Sequence, residues 1–288
     1  MKFRSAAIAA LSTLLAACGG DSGAPTKVWE TAGFQNPESA LPDTEAGIIY
    51  VSNVAGGPGD RDGNGYISKL GLDGKIVTEK WVTGLDAPKG LALSGGKLFV
   101  ADLDNLVEID VASGTIVTKH AAAGAKILND VAVDGEGRIY TSDWPGNAIW
   151  RLSGGTFEKW LESEELKNPN GLFVDKDKLI VAAWGAMAAD FSTTTPGNLL
   201  TVNLADKAIA NLGDGKPVGN LDGIEPFDAD SFLVTDWVAG KVFQIARSGE
   251  AKELLKLGQG SADLGYIAAS RTAIIPLMVD GKVVAYKF

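Results

Sequence analysis

Six short phrases put polar side chains at the mouths of apolar runs: PESAL at 37–41, APKGL at 87–91, ILNDV at 127–131, NPNGL at 168–172, NLDGI at 220–224 and SADLG at 261–265. Their polar members, Glu38, Lys89, Asn129, Asn170, Asp222 and Asp263, are three carboxylates, two amides and one amine. Turn chemistry accounts for a single Asn or Asp beside Gly. It does not require every phrase to hold its polar group at one phase, nor does it favour Glu and Lys there. Carboxylates brought together without partners raise one another's pKa, and a divalent cation resolves that repulsion. Glu38, Asn170 and Asp222 offer such an ion hard oxygen ligands, which suits Ca2+ first and leaves Mg2+, Mn2+ and Zn2+ open. Soft-ligand zinc sites are excluded, because the chain has one Cys and one His. No serine elbow or Cys/His pair offers a covalent route. The lone His120, in TKHAAAG, reads as a surface or turn residue between repeats.

For these residues to meet, distant segments must converge on one axis, and the chain carries a repeat that does this. Five runs share a form: IYVSN at 49–53, LFVAD at 98–102, IYTSD at 139–143, LIVAA at 179–183 and FLVTD at 232–236. A sixth, AIIPL at 273–277, fits more loosely. The runs recur about every forty residues. Longer intervals occur where a Gly/Asp loop, Gly56 to Gly65, and a polar insertion, Ala186 to Gly197, intervene. Each run is preceded by a strand that begins at the polar phrase, and most are followed by a turn and one or two alternating strands. Four short strands per unit is the pattern of a propeller blade. No unit holds a 3.6-period run long enough for a crossover helix, which argues against an α/β sheet.

The expectation is therefore all-β: a six-bladed β-propeller over residues 26–288 with four-stranded blades. The last unit supplies three strands, so the N-terminal stretch Thr26 to Glu30 is expected to add the fourth and close the ring. The first strand of each blade lines the channel, which brings the six polar positions together. Trp144, Trp184 and Trp237 follow the same strand end in three consecutive units. They either pack between blades or wall a pocket at the channel mouth. Glu225, close to Asp222, is expected to stand behind the ion's ligands or to bond local backbone.

With 288 residues, 45% of them apolar, the chain can bury a substantial core. A net charge of −10 and the lack of any Lys/Arg cluster exclude a nucleic-acid partner. Lys2 and Arg4 precede an apolar stretch from Ala6 to Ala17 that ends at the only cysteine, Cys18. That is the form of an export signal and too short for a lasting membrane span. LAAC at 15–18 resembles a bacterial lipobox, which implies removal of residues 1–17, lipidation of Cys18 and a flexible tether over 18–25. The expected location is the bacterial envelope, lipid-anchored to a membrane and facing the periplasm.

PESAL followed by IYVSN, then LNDVAVD, PNGLFVD, LDGIEP and GQGSADLGY, resembles the SMP-30/gluconolactonase/LRE-like family of six-bladed propellers over Thr26 to Phe288. The resemblance implies a divalent ion on Glu38, Asn170 and Asp222, with Asn129 contacting substrate and the ion's water shell. Sugar-lactonase members carry an arginine two residues before that Asn, where this chain has Ile127. The implied activity is hydrolysis of a small-molecule lactone or related ester other than a typical sugar lactone. On this reading Asp222 or Asp263 takes a proton from water, Lys89 stabilises an anionic intermediate, and Trp144, Trp184 and Trp237 contact substrate. The other reading is a non-catalytic propeller that binds a ligand or protein around a structural ion.

Overall fold

The computed structural model describes residues 23–188 and 192–288. The expected signal segment, Cys18 and most of the expected tether lie outside the described residues. Within them stand six four-stranded sheets and one two-stranded hairpin. Blade one is Pro37–Asp43, Ile48–Asn53, Gly65–Gly71 and Ile76–Leu85; blade two is Pro88–Ser94, Lys97–Asp102, Asn105–Asp110 and Thr115–Ala121. Blade three runs Leu128–Val133, Ile139–Asp143, Ala148–Ser153 and Thr156–Glu162. Blade four is Pro169–Asp175, Lys178–Ala183, Leu199–Asn203 and Ile209–Asn211, and blade five is Leu221–Asp228, Ser231–Asp236, Lys241–Ala246 and Ala251–Lys256. Blade six is Gly265–Ile267, Thr272–Leu277 and Lys282–Lys287, completed by Thr26–Ala32.

Burial follows position in the blade. The second strands of blades three and five are buried at every residue, because both their faces meet a neighbouring blade. The outermost strand of blade two, Thr115–Ala121, alternates exposed and half-buried residues, since one face meets water. Six apolar cores each straddle a pair of adjacent blades, as where Tyr140 and Trp160 of blade three meet Leu179 and Val181 of blade four. The first strands of successive blades touch one another around the ring and form the channel wall.

The ring closes as expected. Thr26–Ala32 pairs antiparallel with Lys282–Lys287, from Thr26 opposite Lys287 to Ala32 opposite Lys282. Phe34 then enters the core shared by blades six and one, with Val51, Ile274 and Val283, and Trp29 packs against it. Closure leaves no bare sheet edge between the last blade and the first.

Candidate active site

Each inner strand carries the same irregularity at its polar phrase. In blade three Leu128 faces Asp143 and Val131 faces Thr141, so Asn129 and Asp130 together oppose Ser142. This is a β-bulge, which re-aims side chains that would otherwise alternate across the sheet. The register shifts in the same way between Pro37 and Ala40, Pro88 and Leu91, Pro169 and Leu172, and Leu221 and Ile224. In blade six Ser261 bridges Leu277 while Gly265 pairs with Ile274, leaving three residues opposite two. The first bulge place is thus taken by Glu38, Lys89, Asn129, Asn170, Asp222 and, in blade six, Ala262. The second is taken by Ser39, Gly90, Asp130, Gly171, Gly223 and Asp263. Asp263 therefore stands one place later than its spacing from the strand end suggests, because that spacing follows hairpin length whereas the bulge follows pairing.

Two features hold the bulges. Ser142 Oγ accepts from Asp130 N at 2.9 Å and donates to the Asn170 carbonyl at 2.7 Å, tying blade three to blade four. Thr235 Oγ1 does the same between Gly223 N, at 2.9 Å, and the Ala262 carbonyl, at 3.0 Å. These hydroxyls satisfy backbone groups that the irregular ladder leaves over. Glycine is needed where the next blade passes closest: a Cβ on Gly171 would lie 2.0 Å from the Asp222 carbonyl oxygen.

The five polar first-place residues, Glu38, Lys89, Asn129, Asn170 and Asp222, form the floor of a cavity of about 270 Å³, with Pro58, Ile127, Trp144, Trp184, Trp237 and Met278 around it. Glu38 Oε2, Asn129 Oδ1 and Asn170 Oδ1 are buried without a hydrogen-bond partner. Asn170 donates its amide to the Leu221 carbonyl at 3.3 Å and steadies the Asp222 carboxylate. Burial, then the charges of Asp222 and Asp263, push Glu38 well above the usual carboxylate range, with Lys89 opposing. Asp222 is pushed up by burial, then by Asp263 and Asp236. Lys89 Nζ donates to the carbonyls of Ala87 at 2.8 Å and Pro58 at 3.1 Å. Burial lowers its pKa, against Glu38 and Asp102. Among the described residues no three His, Cys, Asp or Glu gather into a metal-sized cluster, and the floor's oxygens come from two carboxylates and two amides.

The three tryptophans wall this cavity and also stack across blades. Trp144 and Trp184 meet edge to face at 5.2 Å between centroids, and Trp184 meets Trp237 at 6.1 Å. Their backbones are fixed by a repeated clamp: Trp144 N donates to the Ile127 carbonyl, Trp184 N to Asn168 and Trp237 N to Asn220, each at 3.0 Å. Asn168 and Asn220 in turn donate their amides to the carbonyls of Trp144 and Trp184, each at 3.1 Å. The hairpin Gly185–Met187 with Thr193–Pro196 adds Thr193, whose Oγ1 accepts from Trp184 Nε1 at 3.0 Å.

Three of the second-place residues, Ser39, Asp130 and Asp263, line a separate inner cavity of about 40 Å³ with Glu225. Asp263 accepts from Ser39 Oγ at 2.5 Å, and burial raises it to about 7. Glu225 is raised to about 8 by burial and then by Asp263. Asp130 accepts from Leu172 N at 2.6 Å and Val131 N at 2.7 Å, with burial and Asp263 pushing it well up. Asp130 was not legible as a channel residue, since beside Asn129 it reads as turn chemistry. His120 lies on the outermost strand of blade two, not in a turn, with Nε2 2.6 Å from Glu108 Oε1, and lines neither cavity.

No protein-family model matches the chain, and no curated protein sequence does. Solved structures share its fold. A virginiamycin B lyase from Staphylococcus aureus is 12% identical with a TM-score of 0.64, over 92% of this chain and 99% of that one. A gluconolactonase from Xanthomonas campestris is 16% identical with a TM-score of 0.65, over 91% of this chain and 89% of its own. A histidine-to-alanine form of the S. aureus lyase, solved with quinupristin, is described as catalytically inactive.

Proposed function

We propose that the chain hydrolyses a lactone or related ester with the help of one divalent cation, Ca2+ foremost, held by Glu38, Asn170 and Asp222. The observation that carries this reading is the set of buried oxygens without partners on Glu38, Asn129 and Asn170, facing one cavity with the Asp222 carboxylate. Each such acceptor costs about 1–3 kcal/mol unless something satisfies it, and an all-oxygen donor set suits a hard cation. When bound, the ion supplies Lewis-acid polarisation of the ester carbonyl.

The protein's own groups do the rest. Lys89 spends two of its three N–H bonds on the Ala87 and Pro58 carbonyls, and the third is left for an oxygen that gains charge. Asn129 stands across the floor, where its amide N–H orients the substrate. Asp222 is the base that takes a proton from the attacking water, because it lines the substrate cavity whereas Asp263 lines the one beneath. A lyase reaction through histidine is disfavoured: the chain's one His, His120, is engaged by Glu108 on an outer strand. On the sequence of residues 1–18 we further place the protein at the bacterial envelope, anchored through Cys18.

The test is a panel of lactones and esters offered to the full chain with Ca2+ and with a chelator, beside D222N. Hydrolysis should require the ion, and D222N should lose both tight Ca2+ binding and turnover. Unchanged turnover in D222N overturns the assignment. Ion and ligand binding without turnover of any compound would identify a binding propeller instead.

A further inference from the structure

We infer that the ligand of the outer cavity carries an apolar body, an alkyl chain or aromatic ring, on its lactone or ester, and is not polyhydroxylated. This rests on the hydrolase reading in one respect: an ion on the floor occupies the oxygens that would otherwise receive substrate hydroxyls. The floor and the wall differ sharply in chemistry. All the charged and amide groups of the cavity belong to the bulges of five inner strands, while the wall is Pro58, Ile127, Trp144, Trp184, Trp237 and Met278. Two polar atoms of that wall are already engaged: Trp184 Nε1 donates to Thr193, and the Pro58 carbonyl accepts from Lys89. A sugar lactone has a hydroxyl on nearly every ring carbon, and those that meet Ile, Met and the indole faces would lose their water without a replacement. An alkyl or aryl body loses nothing there and gains from leaving water.

The stacked indoles extend this apolar surface across three blades, so a chain lying along it meets rings spaced 5.2 and 6.1 Å apart. The cavity volume of about 270 Å³ sits at the small end for ligand sites, enough for one ring with a substituent. Ile127 is the specificity residue, since it lines the same cavity as Asn129, two positions before it in the chain, and its side chain offers no donor to a ring hydroxyl.

The test reads binding before turnover, by stopped-flow tryptophan fluorescence of the full chain with saturating Ca2+. The probes are γ-butyrolactone, its γ-ethyl, γ-butyl and γ-hexyl derivatives, and glucono-δ-lactone. Affinity should rise up to about fourfold per added methylene until the wall is covered, with glucono-δ-lactone weakest. Ile127→Arg should weaken the γ-hexyl compound and strengthen glucono-δ-lactone, each at least tenfold. Equal or tighter binding of glucono-δ-lactone to the unaltered chain, no dependence on chain length, or no lactone binding at all overturns the inference, whatever Ile127→Arg does. The alkyl order without hydrolysis leaves it standing while removing the enzymatic reading; hydrolysis of glucono-δ-lactone in preference to the alkyl series does the reverse.

Discussion

Glu38 is a carboxylate that burial and three acidic neighbours, Asp222, Asp263 and Asp130, oppose, and the cation ligation proposed for it would make that position tolerable. Glu38→Gln keeps the shape and removes the charge. Ca2+ affinity by calorimetry should fall by more than the roughly 10–100-fold that groups behind a metal's ligands contribute, while melting in chelator should rise. An unchanged affinity would remove Glu38 from the ligand set. The acidic channel also sets a pH dependence for the metal-free protein. Asp263 and Glu225 hold their protons to about 7 and about 8, above their ordinary 3.8 and 4.5. The unfolded chain releases those protons first, so the contribution of these two groups to stability is present below their ordinary values and is lost as pH rises through the folded ones. Glu38, Asp130 and Asp222 shift the same way; Lys89 acts oppositely, in the alkaline range below 10.5. Melts in chelator should therefore fall between about pH 5 and pH 8. If Ca2+ binds the ionised carboxylates as proposed, it should offset that fall. A metal-free melting temperature that rises over this interval would refute the arrangement.

At the scale of the strand, the bulge is the working device: two successive residues reach two different cavities only because one extra residue sits opposite Ser142 or its counterpart. Ser142→Ala would strand the Asp130 N–H and the Asn170 carbonyl, at about 1–3 kcal/mol for each group left unpaired. Denaturant unfolding should show that loss, with Ca2+ affinity falling as Asn170 loses its support. Gly171→Ala should be worse, since the Asp222 carbonyl oxygen lies 2.0 Å from where the Cβ would stand. A stability within about 0.5 kcal/mol of the unaltered chain, the range of ordinary surface changes, would show that this close approach is not real. None of this was readable from NPNGL or LNDVAVD, because a bulge is defined by the partner strand's register. Counting back from strand ends accordingly carried Asp263 into the wrong tier.

Across the whole molecule, stability depends on a closed ring whose cores belong to pairs of blades, and among the described residues no blade holds a core of its own. Deleting residues 26–32 would bare the Lys282–Lys287 edge and remove Trp29 from the closing core. The truncated chain should melt more than 10 °C lower, on the order of several kcal/mol for a chain of this size, and should self-associate through the open edge in light scattering. Retention of both melting temperature and monodispersity would mean the closing strand is dispensable. The blade count, the closing strand and the gathering of Glu38, Lys89, Asn129, Asn170 and Asp222 were legible in the amino-acid order, because a propeller repeats its alternation and turn chemistry in every unit. Which of two adjacent polar residues meets the outer cavity, that Asp130 and Asp263 share the inner one, and that three tryptophans wall a pocket while also stacking across blades, were decided only by the tertiary structure. Those outcomes depend on hydrogen-bond register and on the angle at which neighbouring blades meet, and both are set by contacts between residues far apart in the chain.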